Sequence, residues 1–252
     1  MFGQEIIPLT ASWQDRVKGS WWKAPLLIIG YFYIRLLLEL EVVHRGLAAM
    51  NTSLSIESLT NAGDLMSIMA EAELFYHLQA FGTLLIVLLA IKLFGMKLFS
   101  FKRVTWRGVL TTFLLFVAFM LLQMLLGLAI ETLFPDYTQP DNQEAVARMV
   151  QTMHPVGMFL NIVILTPVIE EIICRGLVMK YTFPLMPAIG ALVSMLFFTL
   201  LHGPANVIDF LIYFVLSVGI TFSYWQSRQL EYAILFHILQ NLLGFLSIYL
   251  VQ

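Results

Sequence analysis

An all-α membrane protein, a polytopic bundle of about seven transmembrane helices, is the fold class this sequence predicts. Three observations carry it. Of 252 residues, 60% are hydrophobic and only 12% are charged, far from the balance of a soluble domain. The apolar residues fall into runs close to the roughly 20 residues that a bilayer demands. The lysines and arginines, finally, lie almost entirely to one side of those runs. A net charge of −2 argues against nucleic acid as a partner.

Taken in order, residues Met1 to Lys23 are polar and close on Trp21-Trp22-Lys23, an interfacial anchor of aromatic rings plus a cation. They lack an apolar core and the run after them lacks a small-residue cleavage pattern, so no cleavable signal peptide is expected. Ala24 to Leu40 is the first span. It carries Arg35 and Glu39, four apart, which reads as an intrahelical ion pair. Glu41 to Leu74 is mixed, contains Asn51-Thr52-Ser53 and five acids, and reads as a loop with an amphipathic helix near Leu65–Leu74. Phe75 to Phe94 is the second span and Val109 to Leu133 the third. Phe134 to Pro155 is a polar loop with three prolines and a short helical patch at Gln143–Val150. Gly157 to Lys180 is the fourth span, followed by a tight turn and three more, at about 187–202, 205–225 and 230–250.

This count places Arg16, Lys18, Lys23, Lys92, Lys97, Lys102, Arg103, Arg107, Arg175, Lys180 and Arg228 on the N-terminal side, against Arg45 and Arg148 opposite. Eleven against two predicts an N-inside topology. No low-complexity tract or clear internal repeat divides the chain.

The polar residues inside the later spans carry the chemistry. Glu170 and Glu171 lie in an otherwise apolar helix, with Arg175 close behind. An ionised group at bilayer depth costs roughly 2.5–3.5 kcal/mol, so three together need a reason. Glu171 and Arg175 are four apart and share a helix face, which lets them pair. Glu170 is rotated by about 100° and left for another task. Cys174, the one cysteine, has acidic and apolar neighbours and reads as a small core residue. His202 closes the next span, stopped by Gly203-Pro204. From Pro187 the helix reaches only about 24 Å, less than the hydrocarbon core, so His202 is expected below the membrane surface. His237 and Asn241 are four apart in the last span, on one face, either as interhelical glue or as a functional pair. Asp209 reads as a charge at a helix N-terminus. A carboxylate, histidines and an amide inside one apolar bundle are the ingredients of hydrolysis by activated water.

In order and on successive hydrophobic segments, Glu170-Glu171-x-x-x-Arg175, Phe198-x-x-x-His202 and His237-x-x-x-Asn241 resemble the CPBP intramembrane protease family. It is also known as the CAAX protease and bacteriocin-processing family, or Abi family. The resemblance covers about residues 155–252, dividing the chain into an N-terminal transmembrane region, 1–150, and a catalytic core of about four spans, 151–252. It implies an intramembrane endopeptidase of seven or eight spans. Glu170 and His202 would activate the water, His237 and Asn241 would hold the oxyanion, and Glu171 with Arg175 would support them. Phe198 would pack the site or touch substrate. Zinc is open as a cofactor, with Glu170, His202 and His237 as its candidate ligands. The HExxH spacing is absent, and the reading leans to a metal-free mechanism.

The implied substrate is a membrane-associated peptide or protein, and the implied setting a bacterial cytoplasmic membrane. There, bacteriocin immunity or peptide processing is expected ahead of prenyl-protein maturation. Two other classes compete: a non-catalytic membrane scaffold or immunity protein that binds a peptide, and an ion-coupled transporter. The filled motif positions disfavour the scaffold, and the lack of paired halves disfavours the transporter.

Overall fold

The computed structural model describes residues 22–50 and 62–250, with side chains from 65 onward in the second stretch. Trp21, Arg16, Lys18 and the Asn51-Thr52-Ser53 stretch lie outside the described residues. Among the described residues the chain is helical, with no strand. The elements are α1 Lys23–Ala49, α2 Ala62–Glu71, α3 Glu73–Leu93, α4 Trp106–Leu133 and α5 Asp141–Thr152. They continue with α6 Pro155–Thr182, α7 Pro187–Leu201, α8 Val207–Ser227 and α9 Leu230–Leu250.

Five of these, α3, α4, α6, α8 and α9, are long and apolar enough to cross a membrane. The other two expected spans depart from that standard for different reasons. α7 is apolar but only 15 residues long. α1 is long enough but charged. Its first span was expected to end at Leu40, yet the helix runs on to Ala49. Two i,i+4 pairs explain this: Arg35 Nε donates to Glu39 at 2.6 Å, and Arg45 Nε meets Glu41 at 2.7 Å. The amphipathic element expected at 65–74 is α2, ending at Glu71, and the patch in the polar loop is α5, opened by Pro140.

α6 is the axis of the bundle. Every residue from Ile172 to Tyr181 is buried. α1, α7 and α9 all pack against it, and α8 closes the ring between α7, α4 and α9. α4 is its opposite, apolar all round, with Thr112 and Phe116 buried and leucines 114, 121, 125 and 128 exposed, as a lipid-facing helix should be. The main core joins Ile169, Ile172, Ile173 and Leu177 of α6 to Phe198, Ile220 and Phe236.

α6 is not a regular helix. Over Phe159–Leu165 and again over Ile172–Thr182 its hydrogen bonds widen to the π pattern. Pro167 follows the first stretch closely and has no N–H to give the preceding turn, so the helix must change register there. Thr166 Oγ1 donates to Asn161 Oδ1 at 3.3 Å across this step. At the far end Thr182 Oγ1 donates to the Leu177 carbonyl at 3.0 Å, five residues back. Wide turns of this kind are frequent at functional sites. The regular stretch between them, Thr166–Glu171, carries both glutamates.

Candidate functional site

The two adjacent carboxylates make different contacts, as their spacing predicts. Glu171 is fully buried and takes Arg175 Nη1 at 3.0 Å, also fully buried. Arg175 is in turn held from α8. Its Nη2 lies 3.0 Å from the Ser217 carbonyl, 2.9 Å from Ser217 Oγ and 3.1 Å from Thr221 Oγ1. Its guanidinium also lies 4.8 Å from the centroid of the Phe198 ring. A guanidinium suits this position because its planar fork can serve several acceptors at once.

Glu171 also accepts from His237 Nδ1 at 2.9 Å. A carboxylate can only accept here, so Nδ1 carries a hydrogen and the ring of His237 is oriented. Its Nε2 then faces Glu170 Oε2 at 3.8 Å, beyond direct hydrogen-bond reach but close for two charges. Glu170 is the more accessible carboxylate, with its side chain 17% exposed, and its buried Oε2 accepts no hydrogen bond from the described residues.

His202 ends α7 as expected. Its N–H closes on the Thr199 carbonyl, Gly203 takes φ +59°, and Pro204 follows. A left-handed φ is the reason glycine stands there. His202 Nδ1 lies 2.8 Å from the Phe198 carbonyl. A carbonyl has no hydrogen to give, so Nδ1 is the donor and Nε2 of the neutral ring keeps its lone pair, free to accept a proton. His202 forms no ion pair with either glutamate. Phe198 links the two halves: its fully buried ring lies 4.5 Å from His202 and 5.4 Å from His237, centroid to centroid.

Asn241 stands on the same helix as His237 but makes a different contact. Its Nδ2 donates to the Ile162 carbonyl at 2.9 Å, in the first widened stretch of α6. One N–H of the amide is thus committed to tying α9 to α6, and the second remains. Asp209 does lie in the first turn of α8, where Asn206 caps by accepting from Ile208 N and Asp209 N. Cys174 is fully buried, and Ser194 Oγ donates to its carbonyl at 2.8 Å. Among the described residues, no three His, Cys, Asp or Glu side chains converge to hold a metal ion; Glu170, His202 and His237 are not so gathered here.

Several members of the site were not singled out in the sequence. Ser217 and Thr221 are four apart in α8, the same spacing that flagged His237 and Asn241. Tyr213, one turn before Ser217, stacks on His202 with ring centroids 4.6 Å apart. No sequence signal separated it from the many other aromatics.

Two carboxylates, two histidines and a buried arginine thus stand within one apolar helical bundle. The type II CAAX prenyl endopeptidase Rce1-like family model matches residues 152–243, which contain all seven motif residues. UPF0177 protein YajF of Lactococcus lactis subsp. lactis (strain IL1403) is 30% identical over 144 residues, 56% of this chain and 69% of that protein. No solved structure matches. The chain belongs to the CPBP intramembrane protease family, and at that level it is an integral membrane protein of a CAAX-type protease family.

Proposed function

We propose that this protein is an intramembrane endopeptidase that hydrolyses a peptide bond of a membrane-associated peptide or protein. The observation that carries the reading is Glu170: a partly accessible carboxylate whose Oε2 accepts no hydrogen bond from the described residues and lies 3.8 Å from His237 Nε2, while its neighbour Glu171 absorbs the arginine. Glu170, helped by the free Nε2 of His202, takes a proton from water as the oxygen attacks the peptide carbonyl. The negative charge that develops on the carbonyl oxygen is met by the protonated His237 and the second N–H of Asn241. Collapse of the tetrahedral intermediate breaks the C–N bond, and the proton first taken from water passes to the leaving amine. Glu171 keeps His237 oriented, and Arg175 keeps Glu171 in place. Phe198 packs these groups into one unit.

Basic residues cluster between α3 and α4, which supports an N-inside orientation, and the lactococcal relative supports a bacterial cytoplasmic membrane as the setting. In such a cell the substrate is a peptide or membrane protein, as in bacteriocin immunity or peptide maturation.

The test uses purified wild type, Glu170→Gln and His202→Ala in detergent, incubated with a panel of membrane-peptide substrates under metal analysis. Cleavage by wild type, with loss of at least about 10²-fold in each variant, is the expected result. An equally active Glu170→Gln enzyme sinks the mechanism. Full complementation of a deletion strain by that variant would move the protein to the scaffold class.

A further inference from the structure

The ring of His202 is restrained from outside its own helix. Besides Phe198, a second aromatic ring contacts it: Tyr213 of α8, centroid 4.6 Å away and inclined by only 29°. Tyr213 is itself buried, and its hydroxyl receives Asn142 Nδ2 at 3.5 Å, from the start of α5. One turn earlier on the same face of α8 stands Asp209, 2% exposed, with both carboxylate oxygens engaged. Oδ2 accepts from Ala205 N at 2.9 Å, in the turn that directly follows His202. Oδ1 accepts from the Tyr137 hydroxyl at 2.7 Å. Burial first, and the Asp209 carboxylate beside it, hold the Tyr137 hydroxyl above the ordinary phenol range.

These contacts form one device. The segment from Tyr137 to Asn142 lies outside the bundle core, yet it reaches α8 twice, at Asp209 and at Tyr213. Asp209 pins the turn behind His202, and Tyr213 covers the imidazole ring.

We propose that Tyr213 is a positioning residue for His202, and that Asp209 with Tyr137 locks the turn that carries it. The strap 137–142 then completes the site from the far side of the polar loop. This rests on the reading of His202 as the proton acceptor in the proposed reaction. Its geometric half, the fixed ring, does not depend on any substrate. A general base displaced by about 1 Å loses on the order of 10²-fold in rate, which sets the size of effect to look for.

The experiment labels histidines with ¹⁵N in the full chain in detergent micelles, and assigns His202 by its loss in His202→Gln. Wild type is expected to show His202 as a single tautomer with hydrogen on Nδ1. Tyr213→Leu should lose that signature and cut kcat by about 10–100-fold with KM little changed. Tyr213→Phe keeps the ring and should retain both signature and turnover, while Tyr137→Phe should show a weaker version of the Leu effect. A Tyr213→Leu protein with wild-type signature and wild-type turnover overturns the proposal. If that variant does not fold, Tyr137→Phe decides: an unchanged His202 signature and rate overturn it equally. If wild type cleaves no substrate while the tautomer responds as described, the clamp stands and the protease reading is what falls.

Discussion

Arg175→Met removes a fully buried guanidinium and leaves Glu171, also fully buried, with His237 Nδ1 as its remaining side-chain partner among the described residues. The magnitude follows from what is stranded. Three acceptors on α8, the Ser217 carbonyl, Ser217 Oγ and Thr221 Oγ1, lose their donor, and a desolvated carboxylate loses its countercharge. Breaking a buried ion pair from one side costs about 3–5 kcal/mol, most of it the penalty of the orphaned charge. Methionine matches the arginine stem in length, so little of this arises from a cavity. The double variant Glu171→Gln/Arg175→Met isolates the cause. Glutamine is neutral, and its Oε1 still accepts from His237 Nδ1, so the double variant should be more stable than the summed single effects by about 2 kcal/mol. Unfolding in detergent, followed by tryptophan fluorescence, gives all four corners of the cycle. A single variant within 1 kcal/mol of wild type, or an additive double, would refute the account of Arg175 as the countercharge of Glu171.

Three further outcomes are expected. Asn241→Leu strands the Ile162 carbonyl in the widened part of α6 and should cost about 1–3 kcal/mol of stability; the same unfolding measurement would show it. Gly46→Ala places a Cβ 1.9 Å from the Ile68 carbonyl oxygen, a backbone atom that cannot step aside, so α2 must shift. About 1–3 kcal/mol of destabilisation should follow, with faster proteolysis around residues 62–71, while an unchanged melting temperature would contradict the packing of α1 on α2. On the proposed metal-free reading, chelation and dialysis should leave peptide cleavage intact. Elemental analysis and zinc add-back check this, and activity lost on stripping and regained with zinc would make Glu170, His202 and His237 ligands.

How much of this was legible in the sequence differs by the range of the interaction. The pairing of Glu171 with Arg175 was readable because helix geometry alone brings i and i+4 together, and the structure keeps the contact at 3.0 Å even where α6 widens. The stop at Gly203-Pro204 was readable for the same local reason. The end of α1 was not: Glu41 and Arg45 look like loop residues by polarity, but their pairing lets a charged stretch stay helical to Ala49. The widened turns of α6 were hidden as well, since Pro167 marks that a helix must adjust without saying how. The contacts between helices were the least legible. Ser217 and Thr221 are ordinary polar residues until α8 is set beside Arg175, and Tyr213 is one aromatic among many until its ring is found on His202.

The arrangement also explains why two adjacent glutamates are more useful here than one. A single carboxylate near Arg175 would be neutralised by it and would be a poor base. A single carboxylate without the arginine would leave a bare charge inside an apolar bundle, at a cost of several kcal/mol. Adjacent positions on a helix point about 100° apart, so one glutamate can be given to the arginine while the other faces His237. Glu171 is 0% exposed and engaged on Oε1 by both Arg175 and His237, and its Oε2 accepts no hydrogen bond from the described residues; Glu170 keeps 17% of its side chain open, with Oε2 at 3.8 Å from His237 Nε2. Phe198 then holds the distances: one fully buried ring touches Arg175, His202 and His237, and so couples the charged half of the site to the histidine at the end of α7. A shift in any of the three would be transmitted through that ring, because a packed interior has no slack in which to absorb it.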